Sequence, residues 1–120
     1  MNKRPSTIFI DIDGTILKHN KTLFDIALSE PELLDGVKET FNEWDSKGYK
    51  IILTTGRKES LRKKTESDLA KLGIFYDQLI MGLGGGTRYL INDFKENSNF
   101  ATCHAITVDR NKGIRHLKDL

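Results

Sequence analysis

Asp11 and Asp13 are carboxylates one residue apart, set between Ile8-Phe9-Ile10 and Gly14-Thr15. The β-branched and aromatic run before them reads as a buried strand. Gly14 permits a sharp turn that leaves both acids at the strand's C-terminal edge, where open α/β sheets place their ligands. Two like charges this close repel unless a cation lies between them. A hard divalent ion with oxygen ligands, such as Mg²⁺, is the natural counter-charge. Taken alone, the same residues also describe an ordinary strand end followed by an acidic turn.

The elements that must position these acids alternate between strand-like and helix-like, which predicts a mostly parallel sheet covered by helices. Asp35 is expected to cap a helix that carries Val37, Phe41 and Trp44 on one face and stops at Gly48. Tyr49 to Leu53 reads as a second strand, ending in Thr54-Thr55-Gly56-Arg57. A second helix follows, with Leu61, Leu69 and Leu72 facing inward and Gly73 at its end. Leu79 to Met81, Tyr89 to Ile91 and Ala105 to Val108 read as further strands, and Gly84-Gly85-Gly86 as a flexible turn. Asp11, Asp13, Thr55 and Asp93 each fall where a strand gives way to a loop. In a parallel sheet those ends share one edge, so residues distant in sequence converge there. Thr55 alone would read as a helix-capping hydroxyl and Asp93 alone as a turn acid; together they read as a site.

Composition bounds the rest. At 120 residues, 38% hydrophobic and 30% charged, the chain is read as one domain spanning residues 1–120. A net charge of +2 gives no argument for a nucleic-acid partner, and none is expected. The single cysteine, Cys103, cannot form an internal disulfide, so a reducing compartment is the default. The basic start Met1-Asn2-Lys3-Arg4-Pro5 is followed by an apolar run that Asp11 interrupts, so neither signal peptide nor membrane span is read. A cytoplasmic location is expected.

Asp11-Ile12-Asp13-Gly14-Thr15, Thr55-Gly56-Arg57 and Ile91-Asn92-Asp93, in this order, resemble the haloacid dehalogenase (HAD) superfamily of phosphohydrolases. The likeness runs from about Thr7 to Asp93 and includes the helix-strand-threonine arrangement from Asp35-Gly36-Val37 to Arg57. It implies a three-layer Rossmann-like domain of HAD type. It also implies a Mg²⁺-dependent phosphatase that hydrolyses a phosphate monoester through an aspartyl-phosphate on Asp11. Asp13 would be the general acid and then the base. Its presence disfavours the family's metal-independent dehalogenase chemistry. Thr55 and the Gly56 N–H would hold phosphoryl oxygens at a helix N-terminus. Asp11, Asp13 and Asp93, with Asn92 beside it, would bind Mg²⁺, which requires Asp93 within a side chain's reach of the other two.

Two departures stand out. The family's lysine before the last acidic strand end is missing from Met81-Gly82-Leu83-Gly84; Arg88 is the substitute expected, with Lys95 behind it. Asn92 stands where many relatives carry an acid. Neither inter-element gap can hold a cap domain, although Thr22-Leu23-Phe24 could form a flap. The resulting open mouth implies a phosphorylated small molecule such as a sugar phosphate, enclosed within a homo-oligomer, or a larger phosphorylated molecule. Lys58, Arg62, Lys63 and Lys64 are either a steering patch or a solvated helix face. His19, His104, His116 and Cys103 show no metal-ligand spacing. A silent binding or assembly module and a phosphoacceptor signalling domain remain open as alternatives.

Overall fold

The computed structural model describes residues 4–19 and 22–120; Met1, Asn2 and Lys3 of the basic start lie outside them. Strand β1 (Thr7–Asp11) is followed by a short helix α1 (Leu23–Leu28) and then helix α2 (Val37–Ser46). Strand β2 (Lys50–Thr54) leads through a 3₁₀ turn (Glu59–Leu61) into helix α3 (Arg62–Lys71), and strand β3 (Gln78–Ile80) follows. The sheet order is β1-β2-β3, all parallel. Asp11 lies opposite Thr54, and Thr54 opposite Ile80, so all three strands end on one edge. No cap-sized insertion interrupts the described residues.

One face of the sheet supplies the core. Ile10, Ile51, Leu53 and Leu79 are buried there together with Ile12, Val37, Phe41, Trp44 and Leu69. The Phe41 and Trp44 rings lie 5.5 Å apart. Trp44 also donates from Nε1 to the Leu117 carbonyl at 3.2 Å, so the C-terminal stretch is strapped across α2. Gly113 permits this strap, because a Cβ there would lie 2.1 Å from the Asp35 carbonyl oxygen.

Three local expectations need correction. Gly36, at φ 74°, is the N-cap of α2, and Asp35 instead binds Arg115 through 2.9 and 3.1 Å hydrogen bonds. The loop carrying Thr22 contains helix α1, capped by the Thr22 hydroxyl, which accepts from the Asp25 N–H. The fourth and fifth strands do not form; among the described residues no strand pairs with the outer edge of β1.

The fourth strand fails for a reason of connection. A parallel neighbour of β1 must begin at the opposite sheet edge, and such a crossover takes about a dozen residues or more. Only residues 81–88 separate β3 from Tyr89. The chain therefore leaves the body as an arm whose two limbs bind each other. Asn92 Nδ2 donates to the Thr102 carbonyl at 3.4 Å, and the Thr102 hydroxyl donates to the Asp93 carbonyl. Tyr89 and Ile91 stay 85% and 87% exposed. The molecule accordingly extends 51 × 29 × 24 Å.

Trp44 fills the space between α2, the sheet and the C-terminal strap. Trp44→Ala is expected to cost about 3–5 kcal/mol, a large share of a small domain's stability. Urea unfolding followed by circular dichroism measures this.

Candidate active site

Immediately after β1 the backbone closes a tight turn. The N–H groups of Thr15, Ile16 and Leu17 all converge on the Ile12 carbonyl at 3.0–3.2 Å, and Gly14 N–H donates to the Leu17 carbonyl at 2.7 Å. Gly14 adopts φ 89°, and a Cβ there would press on Arg110 at 3.2 Å. Ile12 is fully buried, which anchors the turn and sends Asp11 and Asp13 to the same side. The two acids line an open cleft of about 170 Å³ with Gly14, Thr15, Val108 and Arg110.

Asp13 is held by a planar fork. Arg57 donates from Nη2 to Oδ1 at 2.7 Å and from Nε to Oδ2 at 2.9 Å. Its third arm, Nη1, donates to the Thr65 hydroxyl of α3 at 3.0 Å. The guanidinium is almost wholly buried and the Asp13 side chain mostly so, so water competes little for this pair. Sequence reasoning gives Arg57 no role, although it names the residue. The clue is its place three residues beyond Thr54, which stands opposite Asp11 across the parallel strands. Arg110 and Val108 are likewise unforeseen.

Thr55 is buried, 1% exposed, and its hydroxyl accepts from the Arg57 N–H at 3.0 Å. The following loop packs closely on it: Leu83 N–H donates to the Thr55 carbonyl, and Gly82 N–H to the Arg57 carbonyl. Gly56 permits this approach, since a Cβ would meet the Gly84 carbonyl oxygen at 3.0 Å. Arg88 is exposed, donates to the Gly84 carbonyl at 3.5 Å, and acts electrostatically on Asp11. Its charge favours the ionised form of Asp11, and Arg88 is not among the residues lining the cleft. Of the basic cluster, Arg62 is engaged by Glu59, Glu66 and the Leu79 carbonyl, and Lys64 by Asp68 and the Ser29 carbonyl, so those two side chains tie α3 to its surroundings.

Asp93 stands apart. It is exposed on the arm and is not among the residues lining the cleft. Among the described residues no three of His, Cys, Asp and Glu gather as a metal-holding group. Within one chain a divalent ion would find the Asp11 carboxylate and main-chain carbonyls, while Arg57 occupies both oxygens of Asp13. Mg²⁺ characteristically keeps several waters and binds through one or two carboxylates beside a substrate phosphate, so Asp11 is the side chain that would hold it here.

Burial raises the Asp11 pKa above the ordinary carboxylate value. Arg88, the Ile12 N–H and His19 oppose the rise, and the Asp13 charge adds to it. A raised carboxyl binds its proton more tightly in the folded chain, so its contribution to stability is full at low pH and is lost as pH rises through the raised value. Asp11→Asn is therefore expected to be more stable than the parent at neutral pH. Thermal unfolding across pH should show the difference closing toward about pH 3, where both forms are uncharged.

Comparison with known proteins assigns the architecture. The family model for the polynucleotide kinase PNKP phosphatase domain matches residues 5–88. A chain of the Pnkp1/Rnl/Hen1 complex is similar at 30% identity and a TM-score of 0.59, over 71% of this chain and 30% of that one. A chain of the Pnkp1/Rnl/Hen1 RNA repair complex is similar at 27% identity and a TM-score of 0.57, over 79% of this chain and 28% of its own. This chain therefore spans under a third of the length of either. No curated protein matches it. The expectation that nucleic acid is not involved is overturned by these matches. A net charge near zero is silent on this point, since it does not argue against a partner that meets few phosphates. With its three-stranded parallel sheet and its match across residues 5–88, the chain belongs to the PNKP phosphatase-domain family of the HAD superfamily, and carries the HAD-type Rossmann-like fold without a cap.

Proposed function

We propose that this chain is a phosphatase that removes a terminal phosphate monoester from a polynucleotide. The observation carrying this is the pairing of Asp11 with a rigidly forked Asp13 on an uncapped sheet edge. A terminal phosphate can enter such an open cleft while the rest of its strand stays outside.

Asp11 attacks phosphorus through a carboxylate oxygen, forming the acyl-phosphate bond as the bond to the ester oxygen breaks. Asp13 gives that departing oxygen a proton. In the second half, Asp13 takes a proton from water, the water oxygen bonds to phosphorus, and inorganic phosphate leaves Asp11 free again. The Arg57 fork occupies two of the lone-pair positions on Asp13 and fixes the carboxylate plane, leaving the others for the travelling proton. Arg88 supplies positive charge to the phosphoryl oxygens. Thr55, whose oxygen already accepts from Arg57 N–H, has its own proton to give, and Gly56 N–H joins it. Mg²⁺ is the cation this reading assigns, with Asp11 as a ligand. The place of work is the cytoplasm, in keeping with an unpaired Cys103. Among the described residues no helix is long and apolar enough to cross a membrane.

Phosphate release from oligonucleotides phosphorylated at the 3′ or the 5′ end, against sugar phosphates, tests the reading. Turnover on an oligonucleotide with Mg²⁺, lost in EDTA and reduced at least a thousandfold or so in Asp11→Asn, is expected. Activity that persists in EDTA or in Asp11→Asn would count against it. Arg57→Lys keeps the charge but not the fork. It is expected to lower kcat by about 10- to 100-fold with KM little changed, because it misplaces Asp13 rather than the substrate.

A further inference from the structure

The arm returns to the turn after β1 at Arg110 and is fastened there. Asn111 N–H donates to the Gly14 carbonyl, and the Asn111 side-chain oxygen accepts from the His19 N–H, both at 2.8 Å. Asn111 holds a φ of 63°, a left-handed value that asparagine tolerates better than most residues. Just beyond, Ile114 is fully buried and its N–H donates to the Asp35 carbonyl at 3.1 Å. With its neighbour so anchored, Arg110 is set across Gly14. A Cβ on that glycine would lie 3.2 Å from Arg110 Cγ and 3.7 Å from its Nε.

Nothing in the described protein uses this guanidinium. Arg57 donates to Asp13 and Thr65, and Arg88 to the Gly84 carbonyl. Arg110 makes no hydrogen bond or ion pair among the described residues, although it lines the cleft with Asp11 and Asp13. An open planar fork at the mouth of a phosphate site fits a pair of phosphate oxygens.

Which phosphate it meets follows from its side of the cleft. Asp13 gives its proton to the departing ester oxygen, so the leaving strand lies on the Asp13 side. Gly14 directly follows Asp13, and Arg110 lies across Gly14. Thr55 and Gly56, assigned to the transferred phosphoryl group, come from the end of β2 and do not line this wall. The nearest anion on a leaving polynucleotide is the phosphodiester joining its terminal nucleotide to the next. A sugar phosphate has no such group.

We propose that Arg110 binds the first internal phosphodiester of the leaving strand, and so makes the site prefer a polynucleotide end to a phosphorylated monomer. Arg110 lies outside residues 5–88, so the family match assigns it no role. The inference deepens the phosphatase reading and rests on it for the side from which the strand departs.

Arg110→Gln keeps the side-chain stem over Gly14 and removes the charge. Phosphate release is compared on an end-phosphorylated dinucleotide, on the nucleoside monophosphate, and on the dinucleotide with a neutral methylphosphonate linkage. The variant is expected to lose about 10- to 100-fold in kcat/KM on the dinucleotide and to stay within about twofold of the parent on the monophosphate. The methylphosphonate should cost the parent a similar factor and cost Arg110→Gln nothing further. Equal losses on dinucleotide and monophosphate, no loss on either, or a parent indifferent to the methylphosphonate would overturn the proposal. Fluorescence anisotropy with Asp11→Asn reads the same contact without turnover, using the dinucleotides labelled at the far end. Adding Arg110→Gln should weaken binding of the charged linkage alone, and equal binding with and without Arg110 overturns the inference. Weakened binding in a protein whose parent releases no phosphate would sink the phosphatase reading and leave the contact standing.

Discussion

The Arg57–Asp13 fork is the interaction on which the site depends. It ties the turn after β1 to the loop after β2, and through Thr65 it reaches α3. Three elements distant in sequence are thereby locked around one carboxylate. The parallel register makes this possible, since Asp11 and Thr54 end side by side and leave Asp13 and Arg57 a short span to cross. An arginine buried to this degree without its partner would leave an unpaired charge in the core. The site and the fold therefore stand or fall together.

Around that lock the chemistry is asymmetric. Asp13 is fixed by the fork of one cation, while Asp11 is desolvated and feels the charge of Arg88. A group held in a costly environment is suited to react, and its neighbour held rigidly is suited to pass a proton along a set direction. The absence of a cap leaves these two acids open to a substrate far larger than the cleft.

Much of this was legible in the residues. The runs ending at Asp11, Thr54 and Ile80 are apolar, β-branched and short, and all three form strands within a residue or two of the expected places. The helix faces led by Phe41, Trp44 and Leu69 are buried as their spacing implies. Tyr89–Ile91 and Ala105–Val108 show where pattern alone fails. Their composition suits a strand, but a strand needs a neighbour, and the connection from β3 is too short to provide one in the parallel sense. Arg57 escaped notice because its role arises from a contact across 44 residues, which no local period records. Asp35 looked like a cap because its type is right, yet Gly36 holds the left-handed position and Arg115 claims the carboxylate.

That Asp11 bonds covalently to phosphorus is the claim most directly open to measurement. The parent can be quenched in acid during turnover on an end-phosphorylated oligonucleotide, treated with borohydride, and digested for mass analysis. Reduction of an acyl phosphate converts the aspartate to homoserine, and the account predicts that conversion at position 11 alone. Homoserine at Asp13 or at Asp93, or none at all while phosphate is being released, would contradict it.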